Sequence, residues 1–125
     1  MLKIILIAPC AAFFGWLGVM ALRYPSGLLR GFGIVAAGPD AANEIRAVYG
    51  GLPLTMSAAL LVSLVRPELR NPAALAVAAA SLGMALGRVA SAVIDQKFGR
   101  LPVTFFVVEL GVAAALVGAY LVRRA

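Results

Sequence analysis

Ile4–Leu22 reads IILIAPCAAFFGWLGVMAL, 19 consecutive residues without a charge, set between Lys3 and Arg23. As a helix rising 1.5 Å per residue, the run extends roughly 28 Å, about the thickness of a bilayer's hydrocarbon core. A signal peptide has a shorter apolar region, about 7–15 residues, closed by a small-x-small cleavage site. This run instead continues through Phe13, Phe14, Trp16 and Val19. Pro9 stands before Cys10, where a lipoprotein site needs a small residue. The reading is a retained transmembrane helix over 3–22, kinked at Pro9, which frees the carbonyl of Ile5.

Working outward, three more runs of spanning length follow, over 40–65, 72–94 and 101–122. The joint 23–39 holds the turn signals Tyr24-Pro25-Ser26-Gly27 and Gly38-Pro39 around a short apolar piece, Leu28–Val35. That piece is too short to span, so it belongs at the interface or over the mouth of the bundle. Asp40 is placed to cap the second helix, and Asn71 with Pro72 to start the third. Pro53 should open the carbonyl of Tyr49. The runs are too long for barrel strands and lack alternation, which predicts an all-α integral membrane four-helix bundle, one domain over 1–125. No internal repeat supports an inverted-repeat transporter.

Composition agrees. Of 125 residues, 63% are hydrophobic and 13% charged, and the mean hydropathy is +1.02. A soluble fold of this size could not bury so much apolar surface. The net charge of +6 comes mostly from residues at the ends of apolar runs, where lipid headgroups account for it, so no nucleic-acid partner is expected. With no histidine and one cysteine, neither a metal site nor a cofactor is expected, and no disulfide can form within the chain.

Four spans place both termini on one side, with Lys3, Arg66, Arg70, Arg123 and Arg124. Arg23, Arg30, Lys97 and Arg100 lie on the other, with Arg46 a turn inside. The double arginine tips the expectation towards cytoplasmic termini and an inner-membrane location. Ala79, Gly83, Gly87 and Ser91 recur at i+4 on the third helix and include a GxxxG. They predict close helix packing, inside one bundle or at a homodimer seam.

Ionisable residues within spans are costly and are usually paired or functional. Arg88 lies six residues before Ile94 and Glu109 eight after Leu101, roughly 9 and 12 Å below the same membrane face. An ion pair between them is geometrically natural. Asn43, Glu44, Arg46 and Tyr49 approach from the same face, Arg46 sharing a helical face with Gly50 and Pro53, and Asp95 stands at the mouth. This polar cluster in one half of the bilayer suits either a structural lock or a pocket with a sealed apolar floor. A proton relay lacks a second deep acid. Catalysis lacks a nucleophile–base set, so no catalytic residue and no enzymatic activity are expected.

Asn43, Arg46, Gly50 and Gly51, followed by Gly87-Arg88, Ser91, Asp95 and Glu109, resemble a bacterial family of small four-span proteins, domain of unknown function 4345. The resemblance covers nearly the whole chain and implies the fold and membrane location, with no assigned activity. In helix count and polar placement the chain is also similar, more loosely, to DoxX-like proteins. Two functions follow as expectations. One is a non-enzymatic accessory or interaction subunit of a larger membrane complex. The other is binding or transport of an anionic or acceptor-headed amphiphile, lipid or quinone-like, held by Arg46 and Arg88.

Overall fold

The computed structural model describes residues 1–122. Arg123 and Arg124, on which the orientation reading leans, lie outside the described residues. Helix α1 spans Leu2–Arg23 and runs through Pro9 as one helix. The joint that follows forms a short helix α2, Pro25–Leu29, then a 3-10 turn at Arg30–Phe32 closed by Gly33 at φ 76. The left-handed conformation at that turn is one that glycine adopts without strain. The backbone N–H of Ala36 donates to Ser26 Oγ at 3.0 Å, tying the joint back on itself.

The second span is composite: α3 (Pro39–Ile45), a π-helical turn (Arg46–Gly51) and α4 (Leu52–Val65). Pro53 has no N–H to give the Tyr49 carbonyl, and the chain absorbs the mismatch by widening the preceding turn, with Leu52 N–H reaching the carbonyl of Ala47. The third and fourth spans are α5 (Arg70–Asp95) and α6 (Arg100–Leu121). α5 ends at Gln96 in the left-handed region, φ 51. The segments Leu2–Arg23, Pro39–Val65, Pro67–Asp95 and Arg100–Leu121 are each long and apolar enough to cross a membrane. The chain is an all-α four-helix bundle of the multi-pass membrane type.

Two expected caps are not used. Gly38, not Asp40, occupies the cap of α3, because Pro39 already takes the first helical position. α5 begins at Arg70 rather than after Asn71. There the Arg70 guanidinium turns back onto the carbonyls of Ser63 and Leu64, at 3.2 and 2.9 Å, closing the end of α4. Asn71 Oδ1 is then left to accept from Lys3 Nζ at 2.8 Å, which sets the starts of α1 and α5 side by side.

The helices pack in the cyclic order α4–α1–α6–α5, and the seam between α5 and α4 is only sparsely filled. The tight half of the core lies towards the chain termini, around Ile7, Cys10, Leu60, Ala74, Val77, Leu116 and Ala119. Its few hydroxyls are satisfied locally or across one helix contact. Ser57 donates to the Ala11 carbonyl at 2.8 Å, Ser63 to Leu60 at 2.7 Å and Ser81 to Val77 at 2.9 Å. In a lipid-facing bundle such bonds replace the water these groups would otherwise need.

The small-residue face of α5 is not packed against another helix of the bundle, and its Gly87 and Ser91 border the open seam between α4 and α5. Ala79, Gly83, Gly87 and Ser91 are all exposed, and a Cβ added to Gly83 or Gly87 would meet nothing within 4 Å. α5 buries instead Ala74, Val77, Ala78, Ser81 and Ala85. This second stripe is also small, and it keeps Arg88 turned towards α6. The expectation of packing within one bundle through the GxxxG is corrected accordingly.

Candidate functional site: a buried ion pair beside a chamber

Glu109 sits on the inner face of α6, in register with Phe105, Val112, Ala113 and Leu116, and is 5% exposed. Arg88, one turn beyond Met84 on α5, meets it as a fork. Nε donates to Oε2 and Nη2 to Oε1, both at 2.8 Å. Such bidentate geometry is the strongest form a guanidinium–carboxylate pair takes. The pair forms because a short turn joins the two helices and both residues lie at similar depth from it.

The guanidinium is further held between two aromatic rings. Its Cζ lies 5.8 Å from the centre of Phe32 and 5.5 Å from that of Phe105, and the two rings stand 5.3 Å apart. Both distances are within the range of cation–π attraction. Phe105 precedes Glu109 by four residues, so helical periodicity alone puts it on the right face. Phe32 reaches the site only because the joint folds back over the bundle mouth, and the spacing of the spans carries no signal for that.

Beside the pair lies a chamber of about 170 Å3, lined by Phe13, Phe14 and Leu17 of α1, by Leu28, Leu29, Phe32 and Ile34 of the joint, and by Tyr49, Met84, Phe105, Arg88 and Glu109. A larger cleft of about 550 Å3 adjoins it in the α4–α5 seam, bounded by Leu52, Pro53 and Met56 on one wall and by Ala80, Gly87 and Ser91 on the other. Phe14, Leu17, Tyr49, Met84 and Arg88 border both spaces. Apart from the ion pair and Tyr49, the inner lining is apolar, and the cleft leads outward past Lys97 and Phe98.

The polar cluster read from the sequence therefore divides. Arg88, Glu109 and Tyr49 meet at the chamber. Arg46 does not join them. It shares with Gly50 a face turned to α1, where its Nε donates to the Leu22 carbonyl at 3.1 Å and closes the end of that helix. Asn43 and Glu44 are exposed, because α3 buries Ile45 and successive helical residues point in different directions. Asp95 is exposed at the end of α5, where Ser91 Oγ approaches Oδ2 at 3.5 Å. Sequence reasoning missed the aromatic roof and the separation of Arg46 from Arg88.

Among curated proteins and solved structures, nothing matches this chain. The family described as domain of unknown function 4345 matches residues 1–120. With that match over nearly its whole length, and with four helices able to cross a membrane, the chain belongs to the family known as domain of unknown function 4345.

Proposed function

We propose that this is a non-enzymatic binding protein of the bacterial inner membrane, with both chain termini cytoplasmic, that holds a small amphiphile in the chamber beside Arg88 and Glu109. One observation carries the reading: the ion pair is not packed on all sides. A pair whose whole task is to lock α5 to α6 gains from dense apolar surroundings. Here one flank opens on an apolar chamber joined to a cleft between two spans. That shape suits a molecule with a compact polar head and a hydrocarbon tail, arriving sideways from the lipid. Both carboxylate oxygens of Glu109 are engaged by Arg88, which leaves no base poised for proton abstraction and supports a binding role over catalysis.

Native mass spectrometry of the protein extracted in mild detergent tests this. A bound small molecule is expected on the wild type. Phe105→Trp, which adds volume to the chamber wall, should remove it while leaving helical circular dichroism unchanged. A wild type that carries no adduct, or an adduct undiminished by Phe105→Trp, would count against the proposal.

A second reading is an accessory subunit of a larger membrane assembly or a homodimer. It is favoured by the open Ala79–Gly83–Gly87–Ser91 face, where a second helix could approach closely. On that reading Gly83→Leu should shift the protein to a smaller species in native membranes without altering the monomer's melting. An unchanged assembly size would remove it.

A further inference from the structure

Given the binding role proposed above, on which this step rests, we infer that the chamber selects an uncharged head group bearing a hydrogen-bond acceptor, such as an ester or ketone carbonyl, over an anionic one. The sequence pattern favours an anion, because Arg46 and Arg88 together outnumber Glu109. The structure removes Arg46 from the site and leaves a balanced pair, one guanidinium to one carboxylate. A carboxylate or phosphate entering the chamber would bring an uncompensated negative charge into an apolar space against Glu109. Desolvating such a charge is costly where no partner neutralises it. The remaining cation on the route, Lys97, lies in the outer cleft and is exposed, so an anion would be held at the mouth rather than inside.

The pair nonetheless needs an acceptor. A guanidinium has five N–H donors. Arg88 gives two of them to Glu109, and the rest, including both on Nη1, have no hydrogen-bond partner among the described residues. The unpartnered Nη1 is not sealed from access, and Arg88 borders both the chamber and the cleft, which places these donors within reach of an occupant. At roughly 10 Å below the membrane face by helical rise, a neutral acceptor satisfies them without adding charge. Tyr49, bordering both spaces, is the second polar side chain a head group would meet. The chamber's volume of about 170 Å3 limits the head to the size of one six-membered ring, since a cavity of about 150 Å3 holds benzene. The hydrocarbon tail then lies in the α4–α5 cleft, against Leu52, Met56 and Ala80.

Three probes of matched length separate the possibilities: methyl decanoate, decanoate and decane, each at the same mole fraction in dodecyl maltoside micelles with the purified full chain. Affinity is read from the rise in melting temperature against probe concentration. Methyl decanoate should bind about tenfold or more tightly than decane, the factor expected for a hydrogen bond to a charged donor. Decanoate should bind no better than decane. Arg46→Gln should leave this order intact, because Arg46 faces α1. Arg88→Met/Glu109→Leu should erase the ester's advantage while still admitting decane, which separates lost recognition from lost folding. If decanoate binds as well as the ester or better, the charge argument is wrong and the binding role stands. If all three bind equally, Arg88 recognises no head group and the inference falls. If none binds, the binding role itself falls.

Discussion

Glu109→Ala should lower the stability of the folded bundle by about 3–5 kcal/mol, the usual cost of stranding one partner of a buried ion pair. The carboxylate is 5% exposed and supplies both acceptors for the Arg88 fork. Its removal leaves a guanidinium between Phe32 and Phe105 with no counter-charge. Arg88→Ala does the same in reverse and leaves a carboxylate facing apolar walls. Because each single change creates an uncompensated charge, the losses should not add. Arg88→Met/Glu109→Leu replaces the pair with apolar groups of similar bulk, and such replacements are often neutral or stabilising. It should melt within about 1 kcal/mol of the wild type, with a coupling energy at the upper end of the usual range of roughly 0.5–3 kcal/mol or above it. The measurement is reversible unfolding in mixed micelles of the wild type, Arg88→Met, Glu109→Leu and the double variant, so that the double combines the same two single changes. Additive losses would mean that the two groups are not coupled, whatever their separation in space.

The same pair indicates how far the sequence is legible. Fold class follows from run length and from charge at the joints, because a bilayer admits few ways of satisfying a backbone. Arg88 and Glu109 are legible because both can be counted from one short turn, and helical rise converts residue number directly into depth. Phe105 is legible by the i−4 relation to Glu109. Three features are not legible, each for a physical reason. Arg46 also lies on the right side of the membrane, but depth says nothing of direction, and its face turns to α1. Phe32 depends on how a turn-rich joint folds back, which is decided by Gly33 and by the contact of Gly31 with Leu101. The small residues of α5 form two stripes, and periodicity cannot tell the one that packs on α6 from the one left open. Ala74, Ala78, Ser81 and Ala85 are as small as Ala79, Gly83 and Gly87, and only the demand that Arg88 face Glu109 separates them.

That ambiguity between glycines sets up the sharpest stability contrast in the chain. α1 crosses the second span at Gly18 and Gly50, and a Cβ built on Gly18 would lie 2.8 Å from the Gly50 carbonyl oxygen and 2.6 Å from Leu54 Cγ. The carbonyl belongs to the π-helical turn and cannot swing aside as a side chain can. Gly18→Ala should therefore force the two backbones apart and cost about 3 kcal/mol, the upper end of overpacking penalties. Gly50→Ala should cost less, about 1 kcal/mol, because its new methyl meets first the tip of Leu22, at 2.8 Å, and Leu22 is partly free to turn. Gly83→Ala meets nothing within 4 Å and should be neutral, or stabilising by up to about 1 kcal/mol through helix propensity. Three alanine substitutions of the same chemical size thus fall in the order Gly18, Gly50, Gly83. Equal melting temperatures for Gly18→Ala and Gly83→Ala would show that α1 and the π-helical turn do not cross in contact. Widening that crossing also moves Leu17 and Tyr49, which border both the chamber and the cleft. Gly18→Ala should therefore weaken binding of methyl decanoate even in the fraction that remains folded, whereas Gly83→Ala should leave it unchanged.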